Sequence, residues 1–315
     1  MVASDPVLSP DGETVYVGSD DEEFYAIHTA DGTKKWRTTG LGPITTKPAL
    51  SPDGAIVYFA SGPDAINNHE EIMAVNTTTG SVIWNYQAET GLSGPATAGD
   101  TVFTVRRDGH LVGIDTLSGV ETFNVNLAAS NTMLLSPTVS LDGATVFVAV
   151  ANVVYAVDTT SGQLPRWQFT AAGTVRAGLG TDGATLFIGS ESGVYAIDAS
   201  TGSERWHFSG ADVRTSPVLS PNGATVYVGS LEKGLHAIDA ATGDQRWSYL
   251  TASDILSRPA VSPDGAFVFV GSSDNFLHAV HAAGDSLGVC GTALALAADK
   301  TMLAVGYGTG APRLL

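Results

Sequence analysis

A single phrase, repeated along the chain, does most to limit what it can fold into. It reads VYAIDASTGSERW at 194–206 and LHAIDAATGDQRW at 235–247, with looser copies at 24–36, 72–84, 111–123 and 154–167. An aromatic residue closes each copy: Trp36, Trp84, Phe123, Trp167, Trp206 and Trp247. Their separation of roughly 40 residues is the period of a four-stranded supersecondary unit repeated side by side.

A second phrase precedes the first in each period. SPNGATVYVGS at 220–230 returns as SPDGETVYVGS at 9–19 and SPDGAFVFVGS at 262–272, with echoes at 51–61, 140–150 and 180–190. Pro early in the phrase and Asn/Asp-Gly after it suit a tight turn that needs positive φ. The apolar run that follows reads as a strand buried on both faces. One period therefore holds a short strand, the SPDG turn, a core strand, a second turn, the A-x-D strand, the T-G turn and a fourth strand bearing the aromatic. A lone four-stranded sheet cannot cover both its faces, whereas sheets stacked radially can, with only short edges left open. The expected fold class is all-β, a β-propeller of four-stranded antiparallel blades forming one domain over residues 1–315. The seventh copy (276–290) lacks Trp, and TMLAVGY in the tail matches a core strand. The expectation is eight blades with the last incomplete; seven blades is the alternative.

The motif A-x-D-x-x-T-G-x-x-x-W is complete in Ala196, Asp198, Thr201, Gly202, Trp206 and in Ala237, Asp239, Thr242, Gly243, Trp247. It resembles the tryptophan-docking motif of the pyrroloquinoline-quinone repeat propellers. The resemblance implies that Trp36, Trp84, Trp167, Trp206 and Trp247, with Phe123 as the variant, join adjacent blades. A buried indole N–H needs a fixed acceptor, and the motif Ala is read as leaving room for the neighbouring ring. Phe123 gives up the indole bond, and His28, Asn76 and His281 replace the motif Asp.

The same resemblance raises quinone-dependent oxidation as an alternative function, with the quinone and calcium as its cofactors. The family's alcohol oxidisers carry an adjacent Cys-Cys disulfide, and this chain has one cysteine, Cys290. No segment has the spacing of a calcium loop, and no nucleophile, zinc or phosphate-loop signature is present. No catalytic, cofactor or metal residue is therefore assigned. The closer likeness is to the family's non-enzymatic outer-membrane assembly lipoproteins, which implies a scaffold or binding module for a protein or peptide partner. A small-ligand or carbohydrate binder is the other alternative; aromatics such as Tyr16, Tyr58 and Tyr227 lie at core-strand positions, which disfavours a carbohydrate platform.

The net charge of −17, from 32 acidic and 15 basic residues, disfavours nucleic acid, whose phosphates call for clustered Lys and Arg. No stretch approaches the ~18 apolar residues of a membrane span. The start MVASDPVLSP has neither the basic nor the apolar region of a secretory signal. The expectation is a cytoplasmic chain or a domain excised from a secreted or periplasmic protein, monomeric or part of a larger chain or complex.

Two features depart from the repeat. The column before the first-strand Pro holds Asp5, Lys47, Gly94, Ser136, Arg176, Ser216, Arg258 and Ala293. First strands of a propeller line its centre, so Lys47, Arg176 and Arg258 form a candidate anion-binding ring. The stretch 61–71, SGPDAINNHEE, outgrows the equivalent turns and reads as a partner loop carrying Asp64, Asn67, Asn68, His69, Glu70 and Glu71. With the acidic turn at 20–23 it makes a candidate acidic patch.

Overall fold

The computed structural model describes residues 4–63, 69–127, 134–160, 166–176, 180–232, 234–284, 286–291, 294–296 and 302–304. Every named element is a strand. The chain divides into two compact units, 1–168 and 169–315, with the boundary inside strand β16.

The first unit holds four sheets, each in simple antiparallel order. They are β1 (Val7–Leu8), β2 (Thr14–Gly18), β3 (Glu23–His28) and β4 (Lys34–Thr39); β5 (Ala49–Leu50), β6 (Ile56–Ser61), β7 (Glu70–Asn76) and β8 (Val82–Ala88); β9 (Ala96–Ala98), β10 (Thr101–Val105), β11 (His110–Asp115) and β12 (Glu121–Asn126); and β13 (Thr138–Val139), β14 (Thr145–Val150), β15 (Val153–Asp158) and β16 (Trp167–Thr170).

The second unit repeats the pattern three times. Its sheets are β17 (Gly180–Thr181), β18 (Thr185–Ser190), β19 (Gly193–Asp198) and β20 (Glu204–Ser209); β21 (Val218–Leu219), β22 (Thr225–Gly229), β23 (Gly234–Asp239) and β24 (Gln245–Leu250); and β25 (Ala260–Val261), β26 (Phe267–Gly271), β27 (Phe276–His281) and β28 (Ser286–Gly291). A two-stranded sheet, β29 (Leu294–Leu296) with β30 (Met302–Ala304), follows. Seven four-stranded sheets among the described residues match the seven-blade alternative, and the tail expected to begin an eighth blade supplies a pair of strands.

The SPDG phrase has one construction wherever it is complete. Its Ser hydroxyl accepts the backbone N–H five residues on, at 2.9 Å for Thr14, Ile56, Thr145, Thr225 and Phe267. The Asp or Asn side-chain oxygen accepts the N–H two residues on, at 3.0 Å for Glu13, Ala55, Ala144, Ala224 and Ala266. Both donors at the start of the core strand are thereby satisfied locally, which is what short polar side chains do best in turns.

Register explains the alternating core. Four sheets set an aromatic of the second strand, an Ala of the third and the closing Trp of the fourth in one cross-strand row: Tyr16–Ala26–Trp36, Tyr58–Ala74–Trp84, Phe187–Ala196–Trp206 and Tyr227–Ala237–Trp247. The outer two rings meet over the small one, with centroids 5.7–5.9 Å apart. The motif Ala thus makes room for the rings of its own sheet, not for a neighbour's. In the third sheet Gly113 and Phe123 take these places, and Phe123 turns edge-on to Phe103 at 89°.

The residue that receives the neighbour is the motif Gly. Gly80, Gly119, Gly243 and Gly284 have φ of 72°, 69°, 80° and 98°. A Cβ built on them would stand 2.8–3.0 Å from ring carbons of Trp36, Trp84, Trp206 and Trp247 of the preceding sheet. The same indoles donate N–H to backbone carbonyls of that next sheet: Trp36 to Thr77 at 2.8 Å, Trp84 to Thr116 at 2.8 Å, Trp206 to Ala240 at 3.0 Å and Trp247 to Ala282 at 2.8 Å. One turn therefore supplies both the flat seat and the acceptor for a buried indole. Phe123, 8% exposed, instead packs among Val146, Val148 and Val157 of the next sheet.

Candidate functional site

The motif Asp closes its turn. Asp198 and Asp239 each accept two backbone N–H bonds, from Ser200 and Thr201 and from Ala241 and Thr242, at 2.9–3.0 Å. The other oxygen accepts from the Arg preceding the Trp, Arg205 at 2.7 Å and Arg246 at 2.8 Å. In the fourth sheet Arg166 pairs with Asp158 in the same way. These bonds to the ionised form hold the carboxyls low: Arg246 and then the turn amides bring Asp239 to about 2, and Ser200 followed by Arg205 lowers Asp198. The pairing of the motif Asp with the Arg seven or eight residues later was not read from the sequence, although both stand in every copy that has it. Asn76 replaces Asp without losing the turn, accepting from Thr78 and Thr79 at 3.0 and 2.9 Å. His281 does the same through Nδ1, which accepts from the Ala283 N–H at 3.2 Å.

Within the first unit, the column before the first-strand Pro converges. A Cβ built on Gly94 would lie 2.5 Å from the Ser136 hydroxyl and 2.9 Å from the Lys47 carbonyl. The first strands β5, β9 and β13 run next to one another, and Thr97 donates to the Leu50 carbonyl at 2.9 Å. Lys47 is exposed. In the second unit, Arg176 is committed to an ion pair with Glu191, its Nε donating at 2.7 Å, and that pairing is the main cause of the lowered Glu191 carboxyl. Arg258 is exposed and has no ion-pair partner among the described residues. Arg214, two residues before Ser216 and outside the column, pairs with Asp212 at 2.8 Å.

Of the stretch 61–71, Asp64, Asn67 and Asn68 lie outside the described residues. His69 precedes β7, and Glu70 and Glu71 are its first two residues, so they belong to a strand and not to a loop. Glu70 accepts the Leu92 N–H at 2.6 Å, and Glu71, 2% exposed, accepts from Asn85 at 3.0 Å. Both carboxylates are used inside the first unit. In the acidic turn, Asp21 accepts from Tyr25 at 2.8 Å.

His236 and His278 occupy matching positions and have partners within their own unit. His236 Nε2 lies 3.2 Å from the Ser230 hydroxyl. His278, 4% exposed, lies between Asp274 at 3.0 Å and the Tyr249 hydroxyl at 3.2 Å. Among the described residues no group of three or more His, Cys, Asp or Glu side chains is placed to hold a metal ion, and no helix is long and apolar enough to cross a membrane.

Sequence reading also missed a set of exposed apolar side chains on β8 and the turn beside it: Val82, Ile83, Leu117 and Val120. The signal was present as a double departure from the repeat, with Asn76 for Asp and Ile83 for Arg in the same sheet.

Four-stranded antiparallel sheets, four of them with a Tyr/Phe–Ala–Trp row and four with a Gly seat for the aromatic of the preceding sheet, define a β-propeller of the quinone-repeat type. The chain belongs to the family whose model is described as outer membrane protein assembly factor BamB, which matches residues 2–208 and 150–288. Among solved structures it is similar to BamB from Moraxella catarrhalis, with a TM-score of 0.77 at 17% identity over 95% of each chain. No curated protein matches the sequence.

Proposed function

We propose that this chain is a non-catalytic propeller scaffold that binds a protein or peptide partner. The observation that carries the reading is the match to the BamB family model over most of the chain. The chemistry of the described side chains supports it. The strongly lowered carboxyls of Asp198 and Asp239 cap turns and pair with Arg205 and Arg246, and neither combines with a nucleophile or base in the manner of a catalytic group. The aromatic positions Trp36, Trp84 and Phe123 of the first unit and Trp206 and Trp247 of the second serve as docking residues between blades of their own unit. Of the candidate ring residues, Arg176 is already paired with Glu191 inside its own unit.

The test is affinity purification of the full-length tagged chain from source lysate after cross-linking, together with native mass spectrometry. A protein captured in stoichiometric amount, with no bound quinone, is the expected result. A quinone-bearing chain that reduces dye in a calcium-dependent manner, with no protein captured, would overturn the reading.

A further inference from the structure

The second sheet of the first unit departs from the repeat in a concerted way. Where the fourth, fifth and sixth sheets pair a motif Asp with an Arg across the turn, as in Asp158–Arg166, Asp198–Arg205 and Asp239–Arg246, this sheet has Asn76 and Ile83. Val82 stands where the fifth sheet has Glu204. Both partners of the ion pair are gone together, and two β-branched side chains are left 47% and 46% exposed.

The strand that carries them is an edge. β8 pairs only with β7, in the order β5-β6-β7-β8, so its other side presents unpaired backbone groups. At seven residues, VIWNYQA, it is longer than β4, β12, β16, β20 or β24 and has no charge. Natural edges are guarded by charge, brevity or Pro. β4, β12, β20 and β24 each hold a Lys, Arg or Glu, and β16 has four residues directly after Arg166. β28 is also uncharged, but two of its six residues are glycine, which weakens a template strand. β8 has none of these three guards; the bulge at Ile83, between the pairs Ala74–Trp84 and Val75–Val82, is one that β4, β12, β20 and β24 share.

The turn of the third sheet lies against this strand. Thr116 accepts the Trp84 indole N–H, and Gly119 seats the Trp84 ring. On that turn Leu117 and Val120 are 78% and 59% exposed, where the fifth sheet has Ser200 and Ser203. From the bulge onward, successive residues of β8 point to opposite faces, so a segment added there meets Ile83, Asn85 and Gln87 on one face and the Trp84 turn, with Leu117 and Val120, on the other. Carboxylates border the area. Asp53 is in the turn whose Gly54 carbonyl accepts from Thr77, Asp100 in the turn whose carbonyl accepts from Thr116, and Glu121 accepts from Tyr86. Between positions 48 and 126, which span the second and third sheets, the sequence holds nine Asp and Glu against Arg106 and Arg107, and Arg106, beside Tyr86 of β8, is paired with Asp108.

We infer that the outer edge of β8, flanked by Val82, Ile83, Leu117 and Val120, is a strand-addition site. Its occupant is an extended segment of a partner protein with β-branched residues at alternate positions and Lys or Arg at its ends. The inference rests on the protein-binding reading above and locates its surface. A second copy of this chain is a poorer occupant, because it would bring one acidic border against another.

The probe is a fluorescein-labelled peptide, Lys-Lys-Val-Thr-Val-Thr-Val-Thr-Val-Lys-Lys, titrated into the full chain by fluorescence anisotropy. A second peptide of the same sequence is N-methylated at alternate residues and cannot donate to a strand edge. The variant Asn76→Asp/Ile83→Arg rebuilds the ion pair that the fifth and sixth sheets already hold, so its fold is kept, as a thermal melt checks. The expected result is binding to the unmodified chain that falls at least tenfold both for this variant and for the N-methylated peptide. Equal binding in either comparison, or no binding by the unmodified chain, overturns the site. A dimer in sedimentation that the double variant abolishes overturns the choice of occupant. A native partner retained by the variant overturns the site but not the protein-binding reading, whereas a partner absent from the unmodified chain overturns that reading itself.

Discussion

Replacing Gly243 by Ala tests the seat-and-ring joint directly, because the sixth sheet contains its own control. Gly223 and Gly243 both have left-handed backbone, φ 70° and 80°. A Cβ on Gly223 meets nothing within 4 Å, whereas one on Gly243 meets Trp206 Cδ2 at 2.8 Å and Cγ at 2.9 Å. Gly223→Ala therefore incurs only the conformational term, about 1–2 kcal/mol for an L residue in that region. Gly243→Ala adds overpacking of about 1–3 kcal/mol. Displacing the indole from the Ala240 carbonyl adds about 1 kcal/mol more. The predicted difference between the two variants is about 2–4 kcal/mol, the sum of the last two terms. Guanidinium denaturation followed by tryptophan fluorescence measures it, and the folded emission of Gly243→Ala should shift as Trp206 moves. Equal midpoints for the two variants would refute the claim that this Gly is required by its neighbour's ring.

Tyr58 is buried with its hydroxyl unpartnered among the described residues, and burial pushes it up to about 12. Tyr58→Phe should therefore raise stability by about 1 kcal/mol, while Tyr227→Phe, which loses a bond to Thr225, should lower it by a similar amount; denaturation midpoints decide the signs. Asp198 and Asp239 have folded values below their ordinary one of 3.8, with Asp239 at about 2. Their contribution is present above about pH 4 and lost as pH falls through the folded values, so stability should decline between about pH 4 and pH 2. The acid transition of Asp198→Asn/Asp239→Asn should be shallower in that window.

The repeat was legible because its period and turn chemistry are local: Ser, Asp or Asn and Gly of the SPDG phrase make the bonds that such residues imply in any short turn. What lay beyond reach was anything set by register or by a neighbouring sheet. The motif Ala was read as leaving room for a neighbouring ring, and cross-strand pairing shows which rings these are: Phe187 and Trp206 of its own sheet. The Gly that truly meets a neighbour, Gly243, was read only as a turn former. Glu70 and Glu71 were placed in a loop by length comparison, yet they begin β7 and Glu71 is buried. Arg176 looked available because nothing in the local sequence shows that Glu191, fifteen residues on, reaches it. The exposed β8 edge was written in the departures Asn76 and Ile83, but only the pairing of Asp198 with Arg205 shows that those two changes belong together.

The central claim, a non-catalytic scaffold that holds a protein through the first unit, is tested most directly by site-specific photo-cross-linking in source lysate. A benzophenone amino acid is placed singly at position 83 and, for comparison, at the matching position 205. The account predicts one discrete protein adduct from position 83 and none from position 205. No protein adduct from position 83, or the same adduct from both, would contradict it.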